Sequence, residues 1–227
     1  LPAPGAGEVL VIPNSIPTDT VRPGLAQDRA AILRRFGVQE PSGFVAVMPG
    51  RMVKQKGHVD LVDAVALLEA RGAPIEVVMV GRGPLEEQIR ARIVENGLGH
   101  RVHLHSVVPN AELMELLDAA DAAVMPSLHE GFGIVAAEAM AMEKALIATN
   151  IGPLAELIAD GETGILVPPS SPNALADGIF RVRANEELRR RLGRAARTAI
   201  VEGYSIPRVA ERWVETYARI SRRTSQG

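Results

Sequence analysis

The sequence predicts an α/β protein with a Rossmann-like open parallel sheet of about six strands and helices on both faces. Two observations predict it. Short apolar runs of strand length alternate with longer amphipathic stretches. The runs are apolar throughout rather than every second residue, as strands covered on both faces require.

In order, the strands are expected at "FVAVM" (44–48), "IEVVMV" (75–80), "VHLH" (102–105), "AAVMP" (122–126), "ALIAT" (145–149) and "ILV" (165–167). Helical patterns lie between them at 57–71, 84–96, 110–119, 134–142 and 153–159, with Pro84 suited to a first helical position. Helices at about 172–183, 186–202 and 206–221 finish the chain. Residues 1–8, rich in Pro, Gly and Ala, read as a linker, and 222–227 as a frayed basic tail, leaving one domain over 1–227.

Composition narrows the function. The 227 residues are 47% hydrophobic and 23% charged, with a net charge of −2, so the strongly basic footprint of a nucleic-acid binder is missing. No apolar run reaches the roughly 18 residues of a membrane span. With no cysteine, thiolate chemistry and Cys-ligated zinc are excluded, and a cytoplasmic setting is expected.

An open parallel sheet has one privileged ligand position, beyond the carboxyl ends of the strands where the winding reverses. With strand order 3-2-1-4-5-6, the loops after the first and fourth strands meet there. The first, "GRMVKQKG" (Gly50 to Gly57), carries Arg51 and Lys56 between two glycines. A guanidinium grips phosphate oxygens in pairs, and an ammonium supplies a point charge. The second, in "SLHEGFGIVAAEAMA", places Glu130 before a Gly-Phe-Gly turn and Glu138 one turn into the following helix. Gly131 and Gly133 allow close backbone approach, and a helix starting near Ile134 aims free N–H groups at the crevice. Glu138 could accept from a ribose diol and Glu130 from sugar hydroxyls.

Together, "EGFGIVAAEAMA" with its E-x7-E spacing, "PS" upstream and "GR…KG" after the first strand resemble the retaining glycosyltransferases of family 4 (glycosyl transferases group 1), of GT-B fold. "VIPNSIP" (11–17), "VGRGP" (80–84) and "DGETGILVPP" (160–169) extend the resemblance along the chain. It implies a nucleotide-sugar donor as substrate, with Arg51 and Lys56 on the diphosphate, Glu138 on the ribose and Glu130 on the transferred sugar. Arg51, Lys56 and Glu130 are then the catalytic set. Gly50, Gly131, Phe132, Gly133, Ile134 and Val135 complete the donor-binding set, with Val107 and Val108 near the base. The implied transfer retains anomeric configuration and uses no metal and no cofactor.

The chain departs from the family pattern at "AMEKA", where Glu143 and Ala145 stand for a usual Gly and Pro, and at Asn14-Ser15 for Asn-Gly. The acceptor-binding N-terminal Rossmann-like domain of the GT-B fold has no counterpart in 1–227, which makes that domain the expected partner. Contact of the full-length enzyme with a membrane surface stays open. So do two other readings, a sugar-nucleotide epimerase of the same fold and a non-catalytic nucleotide-binding or partner-docking module. His103 and His105 share one strand face at a spacing a metal could use, but no third ligand is near in sequence. Trp213 and Tyr217, one turn apart, are expected to pack on the core or on the missing domain.

Overall fold

In the computed structural model, which describes residues 10–41 and 43–224, six parallel strands form one sheet. The strands are β1 (Val45–Pro49), β2 (Glu76–Val80), β3 (Val102–His105), β4 (Ala122–Met125), β5 (Ala145–Thr149) and β6 (Ile165–Val167), in the order β3-β2-β1-β4-β5-β6. That is the order the sequence reading assumed, and each strand falls within a residue of its expected place. The linker-like residues 1–8 lie outside the described residues.

The apolar runs are continuous because both faces are covered. On β1, Val45 and Val47 enter one core while Ala46 and Met48 enter the other. The first core is closed by α1 (Arg29–Arg35), α4 (Asn110–Ala119), α5 (Ile134–Ala141), α6 (Gly152–Leu157) and α8 (Glu186–Tyr204). The second is closed by α2 (His58–Ala70), α3 (Glu86–Glu95) and α7 (Pro172–Ala184). The chain ends on α9 (Ile206–Thr224), which runs past the expected end at 221.

β1 matches β2 over five Cα pairs but β4 over only two, Ala46 with Ala122 and Val47 with Ala123. Small side chains let these strands meet at their starts. Beyond Val47 they part, and Pro49 has no N–H to offer a ladder. The crevice opens at this parting.

The structure adds to these expectations and corrects some of them. α1 was not foreseen; Asp28 caps it by accepting from the Ala31 N–H. Pro84 lies in a turn ahead of α3, which starts at Glu86, and the Leu85 N–H donates to the Met52 carbonyl. Trp213 and Tyr217 do not pack on the core: they are 46% and 62% exposed and stack on each other at 5.7 Å. His103 and His105 turn to separate structural partners. His103 Nε2 lies 2.7 Å from Glu76, whose carboxylate also accepts the Gln39 and Glu40 N–H groups, and His105 Nε2 meets the Phe36 carbonyl at 2.9 Å.

α5 ends in a Schellman arrangement: the Lys144 N–H reaches the Ala139 carbonyl and the Glu143 N–H reaches Met140. This puts Glu143 at φ +58°, a left-handed conformation that costs a residue with a Cβ about 1–2 kcal/mol. Glu143→Gly is therefore expected to raise stability by about 0.5–1 kcal/mol, after allowing for the entropy of the freer unfolded chain. A denaturant melt that showed Glu143→Gly to be less stable would contradict this account.

Candidate active site

The loops after β1 and β4 are locked together at their bases. The Leu128 N–H donates to the Gln55 carbonyl at 2.7 Å, fixing the 3-10 turn Lys54–Lys56. Gly57, at φ +71°, lies so close to the β4 loop that an added Cβ would stand 2.1 Å from the Pro126 carbonyl oxygen. No other residue fits there. On the sheet side, the stem of Lys56 lies over Gly50, whose added Cβ would stand 3.9 Å from Lys56 Cδ.

A cavity of about 420 Å³ opens above this junction, lined by Asn14, Lys56, Met125 and the run from Glu130 to Val135. Within it Lys56 Nζ donates to Glu130 Oε1 at 2.6 Å, and Ser127 Oγ donates to the same oxygen at 2.8 Å. Gly133, at φ +87°, turns the chain into α5 without any side-chain cap. The first bond of that helix is Ala137 N–H to the Gly133 carbonyl, so the N–H groups of Ile134, Val135 and Ala136 have no partner within the helix. Phe132 is fixed from behind by the Tyr204 ring, at 5.7 Å.

Of the residues singled out from sequence, Lys56, Glu130, Gly131, Phe132, Gly133, Ile134 and Val135 share this cavity. Arg51, Gly50, Glu138, Val107 and Val108 do not line it. Arg51 is exposed on the β1 loop, and its guanidinium bonds none of the described residues. Glu138 stands half-buried one turn into α5, and burial raises its carboxyl pKa. Val107 is 70% exposed after β3, while Val108 tucks against the core. Sequence reasoning did not assign Asn14 or Ser127 to the site. Asn14 sits in the quoted "VIPNSIP", a segment tied down by the bridge of Ile16 with Ser205.

His58 opens α2 directly after Gly57. It is 1% exposed, and neither ring nitrogen has a hydrogen-bond partner among the described residues. Burial, and after it the neighbouring Lys56 ammonium, lower its pKa from 6.5 to about 4. The Gly50 carbonyl pulls weakly the other way, without reaching hydrogen-bonding geometry.

Fold and cavity place the chain among doubly wound α/β proteins that carry their ligand site at the switch point. The family model described as glycosyl transferases group 1 matches residues 32–199, and the chain belongs to that family. It is 30% identical to alpha-maltose-1-phosphate synthase of Mycolicibacterium smegmatis over 97% of this chain and 59% of that one. It also resembles the solved sucrose-phosphate synthase of Thermosynechococcus elongatus, at 28% identity and a TM-score of 0.82, over 95% of this chain and 53% of that one. A third likeness is to a mutant of S. aureus TarM, solved with fondaparinux, alpha-GlcNAc-glycerol and UDP, at 25% identity and a TM-score of 0.70, covering 82% of this chain and 41% of that one. The chain spans about half the length of the curated relatives it matches. No helix among the described residues is long and apolar enough to cross a membrane.

The buried imidazole makes acid stability testable. His58 binds its proton less readily folded than unfolded, so its contribution is full above pH 6.5 and is lost as pH falls towards about 4. The shift is worth up to about 3 kcal/mol. Thermal melts from pH 7.5 to 4.5 are expected to fall more steeply for the wild type than for His58→Leu. Parallel profiles would refute the assignment.

Proposed function

We propose that this chain is the donor-binding half of a retaining glycosyltransferase that takes a sugar from a nucleoside diphosphate sugar without a metal ion. One observation carries the reading: Lys56 and the uncapped N-terminus of α5 converge on one cavity at the switch point. The two supply positive ends where a diphosphate would lie, and Arg51 adds an exposed guanidinium from the same loop. Such groups act on the charge that develops on the leaving diphosphate, the largest catalytic effect that fixed dipoles offer.

Glu138 would accept from the ribose hydroxyls. Its raised pKa reflects partial burial of the carboxylate. Glu130 would meet the transferred sugar, and Val107 and Val108 the base. The likeness to alpha-maltose-1-phosphate synthase supports sugar transfer, and the TarM structure was solved with UDP. The acceptor wall would come from an N-terminal Rossmann-like domain. Holding the acceptor in line supplies about 7–11 kcal/mol in reactions of this kind, so the chain alone should bind donor without appreciable transfer. Cytoplasmic placement and peripheral membrane contact belong to this reading of the longer enzyme.

Calorimetry with UDP-, GDP- and ADP-sugars, with and without EDTA, tests it. Binding is expected for at least one donor and should survive EDTA. Arg51→Ala and Lys56→Ala should each weaken the diphosphate by roughly one to two decades relative to the bare nucleoside, since a charge-assisted contact is worth about 1.5–3 kcal/mol. No binding by folded protein across the panel would end the nucleotide-sugar reading, and binding abolished by EDTA would end the metal-free one.

A further inference from the structure

Resting on that nucleotide-sugar reading, we infer that Arg82, in the loop after β2, binds the α-phosphate of the donor nucleotide. The register of the sheet carries the inference. Pro49 of β1 pairs with Val80 of β2, and Val80 pairs with His105 of β3. The ladder runs on past the strands: the Gly50 N–H donates to the Val80 carbonyl and the Met52 N–H to the Arg82 carbonyl. Arg51 and Arg82 therefore stand side by side. On the other flank the Gly81 N–H donates to the His105 carbonyl, and Val107 follows His105 at the same interval as Arg82 follows Val80. Neighbouring strands lie about 4.8 Å apart, so Arg82 leaves the sheet between Arg51 and Val107.

The loop is fixed at its base. An added Cβ at Gly81 would stand 1.9 Å from the Gly50 carbonyl oxygen, and one at Gly83 would stand 2.2 Å from the Met52 carbonyl oxygen. The backbone of Arg82, between these two glycines, is thus held against the β1 loop. Its side chain is not held. Arg82 is exposed, and its guanidinium bonds none of the described residues. Arg51 beside it is in the same condition. Two adjacent guanidiniums without a paired carboxylate repel each other, and the fold gains no hydrogen bond from either side chain. A ligand with two linked anionic groups would complement them.

The order of the strands assigns each group. In the proposed reading Val107 and Val108 meet the base, and Arg51 with Lys56 meets the charge that develops on the leaving phosphate. Between the base and that phosphate a nucleotide carries only its ribose and its α-phosphate. The ribose is neutral and falls to Glu138 on α5. The α-phosphate is the anionic group that remains for Arg82, whose planar fork suits two phosphate oxygens. The α-phosphate keeps its charge during transfer, so this contact binds donor and transition state equally. Arg82 then sets affinity for the nucleotide and leaves the barrier to bond cleavage unchanged.

The test measures dissociation constants for three series: uridine, UMP and UDP; guanosine, GMP and GDP; adenosine, AMP and ADP. The proteins are the wild-type chain, Arg82→Ala, Arg82→Lys and Arg51→Ala, each checked for an unchanged melt. Arg194→Ala, which removes an exposed charge from α8, controls for net charge. Arg82→Ala should weaken the monophosphate and the diphosphate by the same factor, about tenfold, and the nucleoside by less than about twofold. Arg82→Lys keeps the charge without the fork and should lose about threefold on both phosphates. Arg51→Ala should act on the diphosphate and spare the monophosphate, and Arg194→Ala should match the wild type. An Arg82→Ala protein that binds the monophosphate as tightly as the wild type would overturn the inference alone. So would an equal loss on the nucleoside, an equal loss from Arg194→Ala, or a wild type that binds the monophosphate no tighter than the nucleoside. A wild type that binds no member of any series would instead overturn the nucleotide-sugar reading, and this inference with it.

Discussion

A missing Cβ holds the site together. The loops after β1 and β4 come from strands that pair over only two residues before they part, so nothing in the sheet itself would keep their ends close. What does so is Gly57, packed against the Pro126 carbonyl at a distance that no side chain survives, together with the Leu128 to Gln55 hydrogen bond. From this junction Lys56 is pointed one way and α2 started the other. Glu130 and Gly133 then stand at fixed distances from Lys56. Were the loops free, a cation and a carboxylate on exposed segments would gain little from meeting, since the ordering cost of two side chains offsets most of an exposed ion pair.

The junction also explains why a histidine without partners can be tolerated. His58 is carried into the protein by the same turn that brings Gly57 to Pro126, and Lys56 two residues earlier stands close enough to oppose its protonation. Burial likewise raises the pKa of Glu138 in α5. His58 and, in part, Glu138 are thus withdrawn from water beside the loops that form the cavity, and fixed charges act more strongly where water is excluded.

Most of the fold was legible because the two signals that specify it are local: strand-length apolar runs and helical periodicity. Their alternation implied a parallel sheet, and the order assumed for it, which the structure has, implied which two loops would meet. The Glu130, Gly131, Gly133 and Glu138 spacing was legible for the same reason, being one turn and one helix. The features that escaped detection are tertiary. α1 is seven residues long, too short for periodicity to stand out, and the 3-10 turn is held by Leu128 from a distant loop. Asn14 reaches the cavity through tertiary contacts of its segment, among them the bridge of Ile16 with Ser205. Ser127 could be seen in the sequence, but its bond to Glu130 could not, since a serine before a glutamate has many partners to choose from. Trp213 and Tyr217 show the converse: helical spacing fixed that they would meet, and said nothing of what else would cover them.

The position of α5 is the last element the site requires, and its sequence handles this with short means. The helix has eight residues, too few to be stable on propensity alone. Ala136, Ala137, Ala139, Met140 and Ala141 are all buried, so tertiary packing holds it, and small side chains let it lie close to the sheet. Both of its ends are set by left-handed residues, Gly133 at φ +87° before it and Glu143 at φ +58° after it. Gly133 is tight against Leu154 of α6, where an added Cβ would stand 2.8 Å from Leu154 Cδ2. At the other end Gly193 of α8 packs on the Glu143 carbonyl, at 2.0 Å for an added Cβ. A helix clamped at both termini cannot slide along its axis. The strain at Glu143 therefore has a structural return: it holds the free N–H groups of Ile134 to Ala136 in register with Lys56, where a charged ligand would need them.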